Sequence, residues 1–216
     1  SATVFFFKKE ISASIQRIFL GFAAGVMIAA SIWSLLIPAM EEAKSAGQPE
    51  WLAASGGFIL GIAFLMLLDS VLPHLHPGAK EAEGLSANWK RTTMLMTAVT
   101  LHNIPEGMAV GLSFALAAQS GQGAGYAAAM ALALGMGIQN FPEGAAISLP
   151  LRQEGISRTK SFVYGMLSGI VEPIFGILVV LIAGQIGPLM PWLLSFAAGA
   201  MMYVVVEELI PEAHLG

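Results

Sequence analysis

Six stretches of this 216-residue chain are long and apolar enough to cross a lipid bilayer, and no connection between them is large enough to hold a soluble domain. Read as runs of about 20 predominantly apolar residues, they cover residues 18–40, 51–72, 92–118, 125–151, 161–186 and 189–210. Polar or glycine-rich connections at 41–50, 73–91, 119–123 and 152–160, and a Gly187-Pro188 corner, separate them. The composition agrees. At 56% hydrophobic and 11% charged residues the chain has too few polar groups to clothe a water-facing surface. The pattern predicts an all-α polytopic membrane protein with a single transmembrane domain spanning residues 1–216.

Two absences narrow the chemistry. With no cysteine, thiolate metal sites and disulfide frameworks are excluded. No signal peptide is expected, since Phe5 to Phe7 is too short for an apolar core and precedes Lys8 and Lys9 instead of following them.

The basic residues orient the spans. Helices alternate direction, so the N-terminal segment, the 73–91 connection and the 152–160 connection share a side. That side carries Lys8, Lys9, Arg17, Lys80, Lys90, Arg91, Arg152, Arg158 and Lys160, and the other carries only Lys44. Nine against one places the N-terminal segment and both connections in the cytoplasm. A multi-pass protein of a bacterial inner membrane is the expected setting, with the bilayer as partner and no nucleic acid; a homodimer is compatible with it.

Two internal repeats lie on antiparallel spans. Leu20-Gly-Phe-Ala-Ala-Gly-Val-Met27 in the first span returns as Leu194-Ser-Phe-Ala-Ala-Gly-Ala-Met201 in the sixth, and each precedes a Leu-Ile-Pro. His102-Asn-Ile-Pro-Glu-Gly107 in the third span returns as Gln139-Asn-Phe-Pro-Glu-Gly144 in the fourth. Similar sequences on spans of opposite direction predict a helical bundle with inverted repeats, the plan of many transporters, with the substrate site at the midplane.

The second repeat carries the chemistry. Nitrogen and carboxylate donors in hydrocarbon are costly and mark functional positions. Four residues apart on a helix is one face, so His102 lies above Glu106 and Gln139 above Glu143, with Asn103 and Asn140 rotated by about 100 degrees. Pro105 and Pro142 remove the hydrogen bonds to the carbonyls of Leu101 and Ile138, a defect tolerated where backbone lines a cavity. Glu172 and Met27 lie near the same depth in the fifth and first spans. Imidazole, carboxamides, a thioether and three carboxylates form a donor set for one or two divalent cations of the zinc type. The plain alternatives are interhelical hydrogen bonding for His102 and Gln139, core packing for Met27, a proton path or ion pair for Glu172 and close helix packing for Gly107 and Gly144.

These motifs resemble those of the ZIP (Zrt/Irt-like) family of divalent metal transporters, most closely its bacterial branch related to GufA. The similarity runs through all six spans, which look like spans two to seven of an eight-span fold. The resemblance implies transport of Zn2+, with Cd2+, Fe2+ and Mn2+ as further candidates, toward the cytoplasm through a binuclear midplane site. One ion would be held by Met27, His102, Glu106, Gln139 and Glu143. The other would be held by Asn103, Glu106, Asn140, Glu143 and Glu172, the first two glutamates of the motifs bridging. A close relative carries aspartate where Asn140 stands. The resemblance also implies a cytoplasmic exit past Asp69, His74 and His76 and past Glu207 and Glu208, with arrival from outside near Glu41 and Glu42. A divalent-cation channel is the nearest rival reading. An intramembrane metal-dependent hydrolase is weaker, because the spans lack a His-Glu-x-x-His helix.

Overall fold

The computed structural model describes residues 1–6, 13–74, 84–85, 91–121, 123–153 and 155–214. Its elements are all helical: α1 Thr3–Phe6, α2 Ala13–Ala29, α3 Ile37–Ser45, α4 Glu50–Val71, α5 Arg91–Ser120, α6 Gly123–Gln153, α7 Arg158–Gly169, α8 Val171–Ile182, α9 Met190–Val204 and α10 Ile210–His214. The chain is an all-α polytopic membrane protein, and its surface shows why. Leu181 is 71% exposed, Trp51 69% and Ile18 67%, while Gln139, Glu106 and Asn103 are buried. Apolar side chains outside and polar ones inside suit a lipid solvent, where the exposed leucines cost nothing.

Among the described residues, four helical rods are long and apolar enough to cross a membrane: Arg17–Ser45, Glu50–Val71, Arg158–Ile182 and Gly187–Leu209. The two motif helices, α5 and α6, have 30 and 31 residues and so the length. Their amides, carboxylates and histidine dilute the apolar character, and α5 compensates by its position, packed among α6, α7, α8 and α9.

Three local features depart from six smooth rods. The first and sixth spans each widen into a π-helical segment, Ala30–Leu36 and Val205–Leu209, ending at the Leu of the repeated Leu-Ile-Pro. The proline that follows cannot donate its backbone hydrogen bond, and a widened turn shifts the register of the ladder before it. The two copies of the repeat therefore share local structure as well as sequence. The third is in the fifth span, where a turn at Ile170 separates α7 from α8 within the Arg158–Ile182 rod. Pro173 has no N–H to offer the carbonyl of Gly169, and the Ile170 N–H turns instead to Leu167 O at 3.4 Å. The break leaves Glu172 in the first turn of α8.

Glycines set the helix spacing. A Cβ on Gly57 would meet the Trp192 carbonyl and the Ser195 Cβ, one on Gly61 the Phe196 carbonyl, and one on Gly199 the Phe58 carbonyl. The α4–α9 pair is thus in backbone contact, the close approach that small residues four apart allow. Gly107 and Gly111 do the same for α5 against Glu172 and Gly176 of α8.

Gly61→Val should destabilise the protein by roughly 1–3 kcal/mol, the range for overpacking, seen as a lowered melting temperature in detergent. Gly21→Val, where nothing lies within 4 Å, should leave it within a degree or two of the parent.

Candidate metal centre

Pro105 and Pro142 sit inside α5 and α6, which run through them as continuous helices. The motif residues on the two helices meet directly. Gln139 Nε2 donates to Glu106 Oε1 at 2.7 Å, and Asn140 Nδ2 donates to Glu172 Oε2 at 2.6 Å. Asn103 Nδ2 donates to the Ser168 carbonyl at 2.9 Å, beside the break between α7 and α8.

These contacts dictate which way each amide faces. A carboxylate or carbonyl oxygen only accepts, so each amide nitrogen must point at it and each amide oxygen must point away. Asn103 Oδ1, Gln139 Oε1, Asn140 Oδ1 and Glu106 Oε2 are consequently buried oxygens with no hydrogen-bond partner. A buried acceptor without a donor costs about 1–3 kcal/mol, and four in one repeat call for a common explanation. The carboxylates add to the negative potential: Glu106 is in electrostatic contact with Glu143 and Glu172, and Glu143 with Glu172 and Glu208. An array of oxygens and carboxylates in a dry interior is what a divalent cation would neutralise.

A cavity of about 180 Å³ lies among these groups, lined by Asn103, Asn140, Glu143 and Glu172, with Ser1 and Gly144 also on its wall. Four of the five residues expected for the second ion therefore face one space. A larger, apolar cavity of about 610 Å³ lies between α5, α6 and α8, and among the described residues Asn140 and Glu172 are its sole polar lining residues. Among the described residues, those two are also the only ones common to both cavities.

The other expected donors are arranged differently. His102 Nε2 lies 2.6 Å from Glu208 Oε1 on the second π-helical segment, so its ring faces a different helix from the Glu106 one turn along. Met27 is fully buried in the apolar core with Leu194 and Met201. No three His, Asp or Glu side chains among the described residues converge as a preformed metal cluster.

Near the C-terminal end of α4, Asp69 accepts from Tyr203 Oη at 2.7 Å and lies 3.3 Å from His74 Nε2. Glu207 is exposed; His76 lies outside the described residues. Sequence reasoning missed Tyr203 and the Ser168 carbonyl. The first left a faint trace, one of three tyrosines, four residues before Glu207 on one helical face; the second left none.

The family model described as ZIP Zinc transporter matches residues 80–215. The chain is 39% identical to "Zinc transporter GufA" of Myxococcus xanthus over 96% of its own length and 80% of that protein's. It is 37% identical to "Zinc transporter ZIP11" of Xenopus tropicalis over 90% of its length and 79% of that protein's. To "Zinc transporter ZupT" of Enterobacter sp. (strain 638) it is 34% identical over 90% and 73%.

Asn140→Asp replaces the donor to Glu172 with a second carboxylate. The variant should melt below the parent without metal and gain more from added Zn2+ than the parent does, because a ligand that binds the folded state stabilises it in proportion to its affinity. A melting temperature that responds to Zn2+ equally in both proteins would count against a cation site at this pair.

Proposed function

The chain belongs to the ZIP family, a family of membrane transporters and not of enzymes, and on that premise we propose that it carries Zn2+ toward the cytoplasm through a midplane site built from its two hexapeptides. The observation that carries this reading is the set of four buried oxygens, on Asn103, Glu106, Gln139 and Asn140, that face inward without a hydrogen-bond donor. Zn2+ binds such oxygens together with imidazole, and Cd2+, Fe2+ and Mn2+ are further candidate substrates because the set mixes hard and borderline donors.

Two ions are proposed at the midplane. The first takes Met27, His102, Glu106, Gln139 and Glu143, and the second takes Asn103, Glu106, Asn140, Glu143 and Glu172. Support for the second is the cavity that four of its residues line. For the first, His102 would have to leave Glu208 and turn to the glutamates, which gives Glu208 a role: it receives His102, and with it the ion, on the way out.

The membrane orientation in this reading follows from charge, with Arg17, Arg91, Arg152, Arg158 and Lys160 on the proposed cytoplasmic side of an inner membrane and Lys44 on the other. A carrier fits better than a channel. Among the described residues the two cavities share only Asn140 and Glu172, which are hydrogen-bonded to each other, and a closed contact at the proposed midplane site suits alternating access more than an open pore.

Zn2+ uptake into proteoliposomes tests the site. The wild-type protein should show saturable, gradient-driven flux, and Glu143→Ala should reduce it by at least about tenfold, the lower range for lost metal-site groups. Unchanged flux in that variant would sink the assignment, and flux linear in concentration would favour a channel.

A further inference from the structure

Met136 lies on α6 just before the second hexapeptide. At about 100 degrees of rotation per residue, Gln139, Asn140 and Glu143 all fall within about 60 degrees of it around the helix. The thioether therefore stands inside the arc that carries the three donors, at the head of an i, i+3, i+4, i+7 series on one face. Its side chain is only 2% exposed. It also lines the apolar cavity of about 610 Å³, where, among the described residues, its sulfur is the one side-chain heteroatom besides those of Asn140 and Glu172. The matching position on α5, three residues before His102, is Val99, so the two motif helices differ here. Met27, the thioether already proposed for the first ion, belongs to the same buried cluster as Met136.

We propose that Met136 is a specificity-determining residue of the candidate metal centre, a thioether that favours soft, polarisable divalent cations such as Cd2+ over Zn2+. The proposal rests on the site reading above and deepens it by ranking two of its substrates. Carboxylate, amide and imidazole donors hold both ions, whereas sulfur adds more to the binding of the softer one. Methionine suits that role because its side chain is unbranched, flexible and uncharged, so it can turn to an ion without changing the charge of the site. In the proposed orientation α6 runs inward, which puts Met136 about 4.5 Å outward of Gln139. An ion arriving from outside then meets the sulfur before the carboxylates. Packing alone does not require sulfur at this place, since Leu132, one turn earlier on α6, is buried in the same cluster.

Equilibrium binding of Cd2+ and of Zn2+ to the full chain in detergent tests the assignment. Met136→Leu keeps the volume and apolar character of the side chain, a swap that cores tolerate well, and removes only the sulfur. It should weaken Cd2+ binding about tenfold, the lower range for a group that supports a metal site. Zn2+ binding should change by less than about twofold, because the imidazole and oxygens that suit zinc remain. Met136→Ile loses the same donor and serves if the leucine variant is not recovered folded. Cadmium-edge X-ray absorption gives a second readout, which packing by itself would not move. In a Met27→Leu background, where the other proposed thioether is gone, Cd2+ should still show a sulfur neighbour, and adding Met136→Leu should remove it. Equal losses of Cd2+ and Zn2+ affinity in Met136→Leu, or no sulfur neighbour in Met27→Leu, overturn the proposal. Glu143→Ala separates this failure from that of the site itself. If that variant binds both ions as the parent does, the site reading fails and the role of Met136 falls with it; if it loses both while Met136→Leu loses neither, the site stands and Met136 is core packing only.

Discussion

The hydrogen bond from Gln139 to Glu106 is the interaction on which the centre of this protein depends. It joins the two copies of one motif across two helices, at 2.7 Å and with both residues buried. Buried in this way, the carboxylate needs an internal donor and the amide needs an acceptor. Meeting both needs turns the amide oxygens into the space between helices. The same logic governs Asn140 with Glu172 and Asn103 with the Ser168 carbonyl. Satisfying the donors in this way leaves the acceptors in surplus, and that surplus is the chemical character of the site.

The surrounding helices are built to allow these approaches. Gly107 and Gly111 bring α5 against the backbone of α8 at Glu172 and Gly176, which puts the third carboxylate beside the first two. Pro173 breaks the fifth span and so frees that region from a regular ladder. The π-helical turn at Val205–Leu209 rotates Glu208 toward His102. Each device is one or two residues that alter backbone geometry, and each acts on a functional side chain nearby. The pair α4 and α9, also in glycine-mediated contact, carries the Asp69–Tyr203 bond.

Much of this was legible in the residues. The all-α polytopic class follows from composition, because an apolar run bounded by polar connections has few alternatives to a helix in lipid. Asn140 and Glu172, which the sequence singles out on different spans, are joined by a hydrogen bond at 2.6 Å. The break at Ile170 was not anticipated, although Pro173 was visible, because apolarity on both sides of a proline reads as one continuous span. His102 was placed with Glu106 by the four-residue helical rule, and its partner Glu208 comes instead from a helix distant in sequence.

The sequence by itself determined the solvent, the helical class, the family and the identity of the polar residues that enter the interior. Those follow from local composition and from motifs, which need no knowledge of neighbours. Only the tertiary structure decided which amide faces which carboxylate, which glycines touch backbone, and that Tyr203 holds Asp69. Such pairings depend on helix rotation and register between segments far apart in the chain. A shift of one residue in the ladder, such as the π-helical turns introduce, sends a side chain about 100 degrees around its helix, and no reading of spacing within a single span can detect it.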